Sequence, residues 1–216
     1  MERLSKLIDT PRRFVQGRLG VFGGTFDPPH IGHLALAWEA LHSLELERVL
    51  WVLTPYPPHK RGQGILSLDE RLAMLKIALA AIAEFEISQV DIDRPPPHYA
   101  VDTLHLLKEK YPQAELYYLI GGDSLHDLPT WFHPDELLAA CDAIGVMRRP
   151  LDQVDLPALE TAIPGITARL KWLDAPLLDI SSSDIRRRIA ENRPFRYLLP
   201  EGVYQIVCEQ RLYRYN

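Results

Sequence analysis

Leu19-Gly20-Val21-Phe22-Gly23-Gly24-Thr25-Phe26-Asp27-Pro28-Pro29-His30-Ile31-Gly32-His33-Leu34 changes character twice within sixteen residues. Leu19 to Phe22 is an apolar run that reads as a buried strand; the glycines that follow allow a tight turn, and Pro28 and Pro29 stand where a helix begins. Ile31, Leu34, Trp38 and Leu41 then recur at spacings of three and four, which predicts one apolar helical face. The polar residues gather at the first turn of that helix, where unpaired backbone N–H groups and the positive end of the helix dipole favour an anion. His30 and His33, three apart, project the same way. Gly23-Gly24 alone would mark only a turn. Two histidines a turn apart could also ligate zinc or decorate a surface helix, but no third ligand stands nearby at matching spacing, and no metal ligand is assigned. Glycines, histidines and the strand-loop-helix order together favour a phosphate site.

Working outward, Arg48 to Leu53 is a second β-forming run at the distance expected of a βαβ unit, which predicts a parallel sheet. The loop after it, Thr54 to Gly64, is stiffened by proline and carries Lys60 at the same sheet edge as the first loop. Leu68 to Ala83 reads as a helix with Leu68, Leu72, Leu75 and Leu79 on one face, opened by a capping box of Ser67 and Glu70. Glu86 to Ile92 alternates like a strand, and Asp93 to Ala100 is a second rigid loop before a helix from Val101 to Tyr111. Glu115 to Ile120 is the most β-like run and ends in Gly121-Gly122-Asp123-Ser124, where the Asp123 carboxylate could meet a ribose hydroxyl or hold a neighbouring loop. Trp131 falls in a loop, where stacking on a flat heterocycle competes with core packing. Asp135 to Ala140 and Leu156 to Ala162 read as helices, Ala143 to Met147 and Arg169 to Leu173 as strands. Ser181, Ser182 and Ser183 open another helix, with Arg186 one turn on as a permanent cation, which suggests a second anion contact beside a plain cap. Pro200 to Tyr213 reads as an amphipathic helix with Val203, Ile206 and Val207 inward.

The expected fold class is α/β, a Rossmann-like doubly wound, mainly parallel sheet with helices on both faces. The chain's 216 residues suit one domain over 18–216, preceded by a basic extension, 1–17. Asp and Glu outnumber Lys and Arg, 29 to 24, for a formal charge of −5, so neither nucleic acid nor an acidic membrane is an expected partner and any phosphate site must be locally basic. Two isolated cysteines and the lack of an apolar N-terminal run point to the cytoplasm. A homo-oligomer is left open.

Taken as a set, GGTFDPPHIGH, PPHK (Pro57 to Lys60), GGDSL (Gly121 to Leu125), LPTW (Leu128 to Trp131), MRRP (Met147 to Pro150), ISSSDIR (Ile180 to Arg186) and YLLPEGV (Tyr197 to Val203) follow one order. In that order the chain resembles the nucleotidylyltransferase superfamily and, within it, the nicotinate mononucleotide adenylyltransferase family, over about residues 18–213. The resemblance implies adenylyl transfer from ATP to nicotinate mononucleotide with release of pyrophosphate, a step of NAD biosynthesis. It implies that His30 and His33 contact the ATP phosphates, with Lys60 beside them and Arg186 toward the β and γ end. Gly23, Gly24, Thr25 and Phe26 would form the ATP loop, Ser182 and Ser183 would support the second phosphate contact, and Gly121 and Asp123 would line the adenosine pocket. Trp131 would stack on the nicotinate ring, with Tyr99, Ala100 and Arg148 also on the acceptor side. Where the family often has Ser-Tyr-Thr, this chain has His98-Tyr99-Ala100 and lacks the last hydroxyl. The implied Mg²⁺ is carried mainly by substrate phosphates and water. Phosphate neighbours are expected to favour charged histidines, so that activity falls as pH rises. Nicotinamide mononucleotide or phosphopantetheine as acceptor, and a non-catalytic adenine-nucleotide sensor, are the alternatives; the LPTW loop and the chain length speak against phosphopantetheine.

Overall fold

Six strands, all parallel, form one sheet in the computed structural model, which describes residues 17–57, 64–148, 154–176 and 178–214. The strands are β1 (Arg18–Gly24), β2 (Arg48–Leu53), β3 (Phe85–Ser88), β4 (Glu115–Gly121), β5 (Ala143–Met147) and β6 (Leu170–Leu173). Their order across the sheet is β3-β2-β1-β4-β5-β6, the doubly wound order, so the chain direction across the sheet reverses between β1 and β4. The register is continuous from Gly24 opposite Leu53 on one side of β1 to Val21 opposite Tyr118 on the other. The helices are α1 (Ile31–Ser43), α2 (Leu68–Leu79), α3 (Ala100–Lys110), α4 (Gly122–Asp127), α5 (Pro134–Ala140), α6 (Leu156–Ala162), α7 (Ile166–Arg169), α8 (Ser182–Ala190) and α9 (Glu201–Glu209).

Strand periodicity divides the core in two. Phe22, Trp51 and Leu53 point to the face covered by α1, α2, α8 and α9; Leu19, Val21, Leu50 and Val52 point to the face covered by α3 to α7. No helix among the described residues is long and apolar enough to cross a membrane.

Several boundaries differ from the sequence reading, each for a local reason. The face of α1 that meets the sheet is Leu36, Ala37, Ala40 and Leu41, and Trp38 is left 44% exposed; the small Ala37 and Ala40 let the helix lie close to the sheet, so the large ring turns outward. On α2 the buried face includes Arg71, a residue no apolar pattern could place inside. Strand β3 stops at Ser88, because Gln89 to Asp93 closes a turn, Asp93 N–H to the Gln89 carbonyl at 2.9 Å. Helix α4 starts directly at Gly122, where a loop was expected. Helix α9 ends at Glu209 rather than Tyr213, since Arg211 and Tyr213 both adopt left-handed backbone. The extension over 1–16 lies outside the described residues.

Candidate active site

A cleft of about 960 Å³ opens at the carboxyl ends of β1 and β4, where the strand order reverses. Gly24, Thr25, His30, His33 and the start of α8 line one end; Tyr99, Ala100, Asp123, Trp131 and Phe132 line the other.

At the first end β1 gives way to a loop wedged into the core. A Cβ at Gly24 would stand 2.8 Å from the Phe26 ring, and Phe26 takes a left-handed φ of 46°, a conformation that costs energy for a bulky residue and persists only where surroundings impose it. Its ring packs edge-on at 5.4 Å from Phe22 and lies 5.1 Å from Trp51. Phe26 therefore belongs to the wall and floor of the cleft through its 2% exposed ring. His30 then serves as N-cap of α1. Its Nδ1 accepts the His33 backbone N–H at 3.3 Å while the His33 Nδ1 accepts the His30 backbone N–H at 3.1 Å, a reciprocal capping box built from imidazoles. The two rings stack with centroids 3.5 Å apart. Gly32 makes room for this, because a Cβ there would come within 3.1 Å of the His30 ring and 3.6 Å of Ile180.

The capping box fixes the tautomers. A ring nitrogen that accepts a backbone N–H carries no proton, so in this geometry each imidazole is neutral and bears its hydrogen on Nε2. The expectation of charged histidines concerns the phosphate-bound site; in the geometry described here a proton on either Nδ1 would cost a helix cap.

Distant groups hold this loop. Arg71, 1% exposed on α2, donates to the carbonyls of Thr25 and Thr54 at 3.0 Å, Pro55 at 2.8 Å and Leu66 at 3.0 Å. Burial lowers its pKa from the ordinary arginine value. From α8, Arg186 donates to the Asp27 carbonyl at 2.7 Å and to Ser183 Oγ at 3.3 Å, and Ser182 Oγ donates to the Pro28 carbonyl at 2.9 Å. The two segments that the sequence singled out, more than 150 residues apart, thus meet directly. The Asp27 carboxylate, 2% exposed, accepts the Tyr213 hydroxyl at 2.7 Å.

At the second end, a local network shapes the loop that leads into α3. Arg94 donates to Asp91 Oδ1 at 2.9 Å, the Pro97 carbonyl at 2.7 Å and the Tyr99 carbonyl at 3.3 Å, and Thr103 Oγ1 donates to the same Asp91 oxygen at 2.8 Å. Tyr99 stacks on Phe132 with centroids 4.1 Å apart, and Trp131 meets Tyr118 edge-on at 6.2 Å. This end offers flat aromatic surface beside backbone polar groups, which suits a planar ring with a polar substituent.

A family model described as cytidylyltransferase-like matches residues 21–188. A Thermomicrobium roseum protein named "Probable nicotinate-nucleotide adenylyltransferase" is 47% identical over 197 residues, 91% of this chain and 92% of its own. The chain belongs to the nicotinate-nucleotide adenylyltransferase family. A Halalkalibacterium halodurans protein of the same printed name is 40% identical over 200 residues, covering 92% of each chain. In fold, the chain is similar to Plasmodium falciparum nicotinic acid mononucleotide adenylyltransferase complexed with NaAD, with a TM-score of 0.77 and 16% identity over 93% of this chain and 98% of that one.

In this adenylyltransferase-family chain, most of the residues singled out from sequence converge. Gly23, Gly24, Thr25, Phe26, His30, His33, Tyr99, Ala100, Gly121, Asp123, Trp131, Ser182 and Ser183 all line the one cleft. Two do not. Arg148 is exposed at the end of β5 with its guanidinium 4.3 Å from the Trp172 ring centroid, away from the cleft wall. Arg186 stands behind the loop rather than on the wall, its side chain 20% exposed. Lys60 lies outside the described residues. Sequence reasoning missed Arg71, Arg94, Tyr213 and Phe132. Of these only Arg94, next to three prolines in an otherwise open loop, carried a local signal.

Among the described residues no group of three His, Cys, Asp or Glu side chains could hold a metal ion. The groups at the phosphate end are imidazoles, hydroxyls and a helix N-terminus, all suited to phosphate oxygens.

Proposed function

We infer that this chain transfers the adenylyl group of ATP to nicotinate mononucleotide, giving nicotinate adenine dinucleotide and pyrophosphate. The observation that carries the reading is that the His30–His33 helix start and Ser182 at the start of α8 line one cleft whose far end is aromatic, with Arg186 bracing the loop between them from behind. Relatives with that printed activity at 47% and 40% identity over nine-tenths of the chain support it. Magnesium delivered on the triphosphate and residence in the cytoplasm belong to the same reading.

The acceptor's 5′-phosphate is already ionised, so its attack on the α-phosphorus needs neither a protein base nor a covalent intermediate. One P–O bond forms, the bond to the bridging oxygen breaks, and the electron pair leaves on pyrophosphate. What the protein supplies is in-line alignment and donors for the charge that develops on the leaving group. His30 and His33 are preorganised for this role, since their capping bonds fix both ring planes and direct the Nε2–H donors without cost at the moment of reaction. Arg186 braces the phosphate loop from behind through the Asp27 carbonyl, Lys60 is expected from the family resemblance to supply a permanent positive charge to the phosphates, and Trp131 with the Tyr99–Phe132 pair holds the pyridine ring. With a methyl in place of a hydroxyl at Ala100, the ring's carboxylate is read by backbone N–H groups at the start of α3.

Pyrophosphate release by the purified protein with ATP and each candidate acceptor tests the reading. Turnover with nicotinate mononucleotide and formation of the dinucleotide is the expected result. Turnover with nicotinamide mononucleotide in its place would move the assignment to the amide. ATP binding with no pyrophosphate from any acceptor would mark a sensor.

A further inference from the structure

The Asp27 carboxylate lies inside the phosphate-loop region, 2% exposed. A carboxylate removed from water in this way is costly unless cations and donors surround it. Arg186 Nη1 stands 3.9 Å from Oδ2, Arg71 lies close enough to interact with it electrostatically, and Tyr213 donates its hydroxyl to Oδ1 at 2.7 Å. Among the described groups Oδ2 accepts no hydrogen bond. The tyrosine is thus the one hydroxyl donor that fixes the rotation of this carboxyl group among the described residues.

Tyr213 arrives there by an unusual route. After α9 the Leu212 N–H closes on the Val207 carbonyl at 3.0 Å, and Arg211 and Tyr213 take left-handed φ values of 54° and 63°. Two bulky residues in that region are strained, and the strain is sustained only because the side chains beyond it are well held. Here Tyr213 is 8% exposed within the core beside α2 and the phosphate loop. Burial and the neighbouring Asp27 charge push its hydroxyl pKa upward, which keeps the donor hydrogen in place.

We propose that Tyr213 is a positioning residue for adenylyl transfer: through the Asp27 side chain it sets the Asp27 carbonyl that aims Arg186, and so holds residues 25–30 in the form in which His30 and His33 meet the triphosphate. The proposal rests on the adenylyl-transfer reading for its kinetic consequence but not for its structural one, and the test separates the two.

Tyr213→Phe keeps the ring and removes only the hydroxyl. Its kcat should fall about tenfold, the scale of a misaligned transition-state donor, while KM for nicotinate mononucleotide stays within about twofold because the aromatic end is untouched. In an Arg186→Ala background the same change should add less than about twofold, as expected for two residues acting as a unit. Equal fold-losses in both backgrounds, or an unchanged kcat, would overturn the proposal. Leu212→Ala, which thins the same turn without touching Asp27, should lower Tm and leave kcat near wild type; a loss of kcat matching that of Tyr213→Phe would show that the hydroxyl is not the operative group. Hydrogen exchange on the free protein needs no turnover. The amides of Thr25, Phe26, Asp27 and His30 should exchange about tenfold faster in Tyr213→Phe while those of α3 are unchanged, and unaltered exchange at those four would refute the structural link even if the wild-type protein proved to use another acceptor.

Discussion

The two ends of the cleft are built in opposite ways. At the phosphate end, residues 25–30 are tied by Arg71, Arg186 and Tyr213, which lie 46, 159 and 186 residues from their partners along the chain. At the acceptor end, the Arg94 guanidinium reaches partners three, three, five, eight and nine residues away. The first arrangement exists only when α2, α8 and the segment after α9 have all docked, so the anion site is completed by the whole fold. The second can close within one loop, which leaves the acceptor end free to vary without disturbing the chemistry.

If that contrast is right, cutting a distant brace should damage the protein as a whole. Arg71→Met fills much of the same space but leaves the carbonyls of Thr25, Thr54, Pro55 and Leu66 without their buried donor. The expected cost is about 3 kcal/mol or more of unfolding free energy, on the scale of a buried charge-assisted network losing its donor. Urea denaturation measures it directly. A loss under about 1 kcal/mol would mean that water or a shifted backbone replaces the guanidinium easily, and the distinction between the two ends would lose its energetic basis.

The same end should show its largest kinetic effect at the imidazoles. His33→Ala is expected to lower kcat about 10²-fold or more and, through the lost reciprocal cap, to cost about 1 kcal/mol of stability. Wild-type turnover in that variant would remove His33 from the mechanism. The neutral tautomers add a sign. Because each Nδ1 accepts a backbone N–H, acidification that protonates the rings should disrupt the cap and lower the rate, and the rate should recover as the pH rises. A rate that instead climbs on acidification would support the charged-histidine expectation.

At the acceptor end the effect should be smaller and confined to binding. Arg94→Ala loosens Asp91, Pro97 and Tyr99 together, so KM for the acceptor should rise about tenfold with kcat within about twofold, the pattern of lost uniform binding. Steady-state kinetics with the acceptor varied at saturating ATP separates the two constants. An equal fall in kcat would show that the acceptor loop also sets the reacting geometry.

This division also accounts for what could be read in the chain. GGTFDPPHIGH and ISSSDIR announce themselves because helix starts, caps and glycine turns are local chemistry, and their glycines, histidines and serines line one cleft while Arg186 lies behind it. The parallel sheet follows from β-forming runs spaced by helical lengths. The groups that hold the site were not legible for a physical reason. Arg71 sits among Leu68, Leu72, Leu75 and Leu79 in a helix whose pattern calls for a solvated cation, and only four carbonyls from the β1–α1 and β2–α2 connections make burial tolerable. Tyr213 looks like the last apolar position of a terminal helix, and its partner is 186 residues away. Even the reciprocal cap of the histidines depends on which ring nitrogen faces the backbone, a detail that residue types and spacing leave open.

The smallest expected effect tests whether charge in the α8 motif serves the site or only the helix. Asp184 lies in the first turn of α8, its N–H bound to Ser181 Oγ at 3.1 Å and its carboxylate held by Arg188 at 2.6 Å and by Arg187. Hydrogen bonds from Arg188 and then Arg187 pull its pKa below the ordinary aspartate value. A carboxylate whose folded pKa is depressed contributes its stabilisation fully above the unfolded value and loses it as the pH falls through the folded one. Asp184→Asn should therefore lower Tm at pH 7 by less than about 2 °C, the pair being open to solvent, and the gap from wild type should close as the pH drops below the carboxylate range. Because these arginines face along the helix and not into the cleft, kcat should stay within about twofold. A large loss of turnover with this small change in Tm would draw Asp184 into the phosphate end after all, and would mean that the orientation of α8, not only the reach of Arg186, is tuned by its own ion pairs.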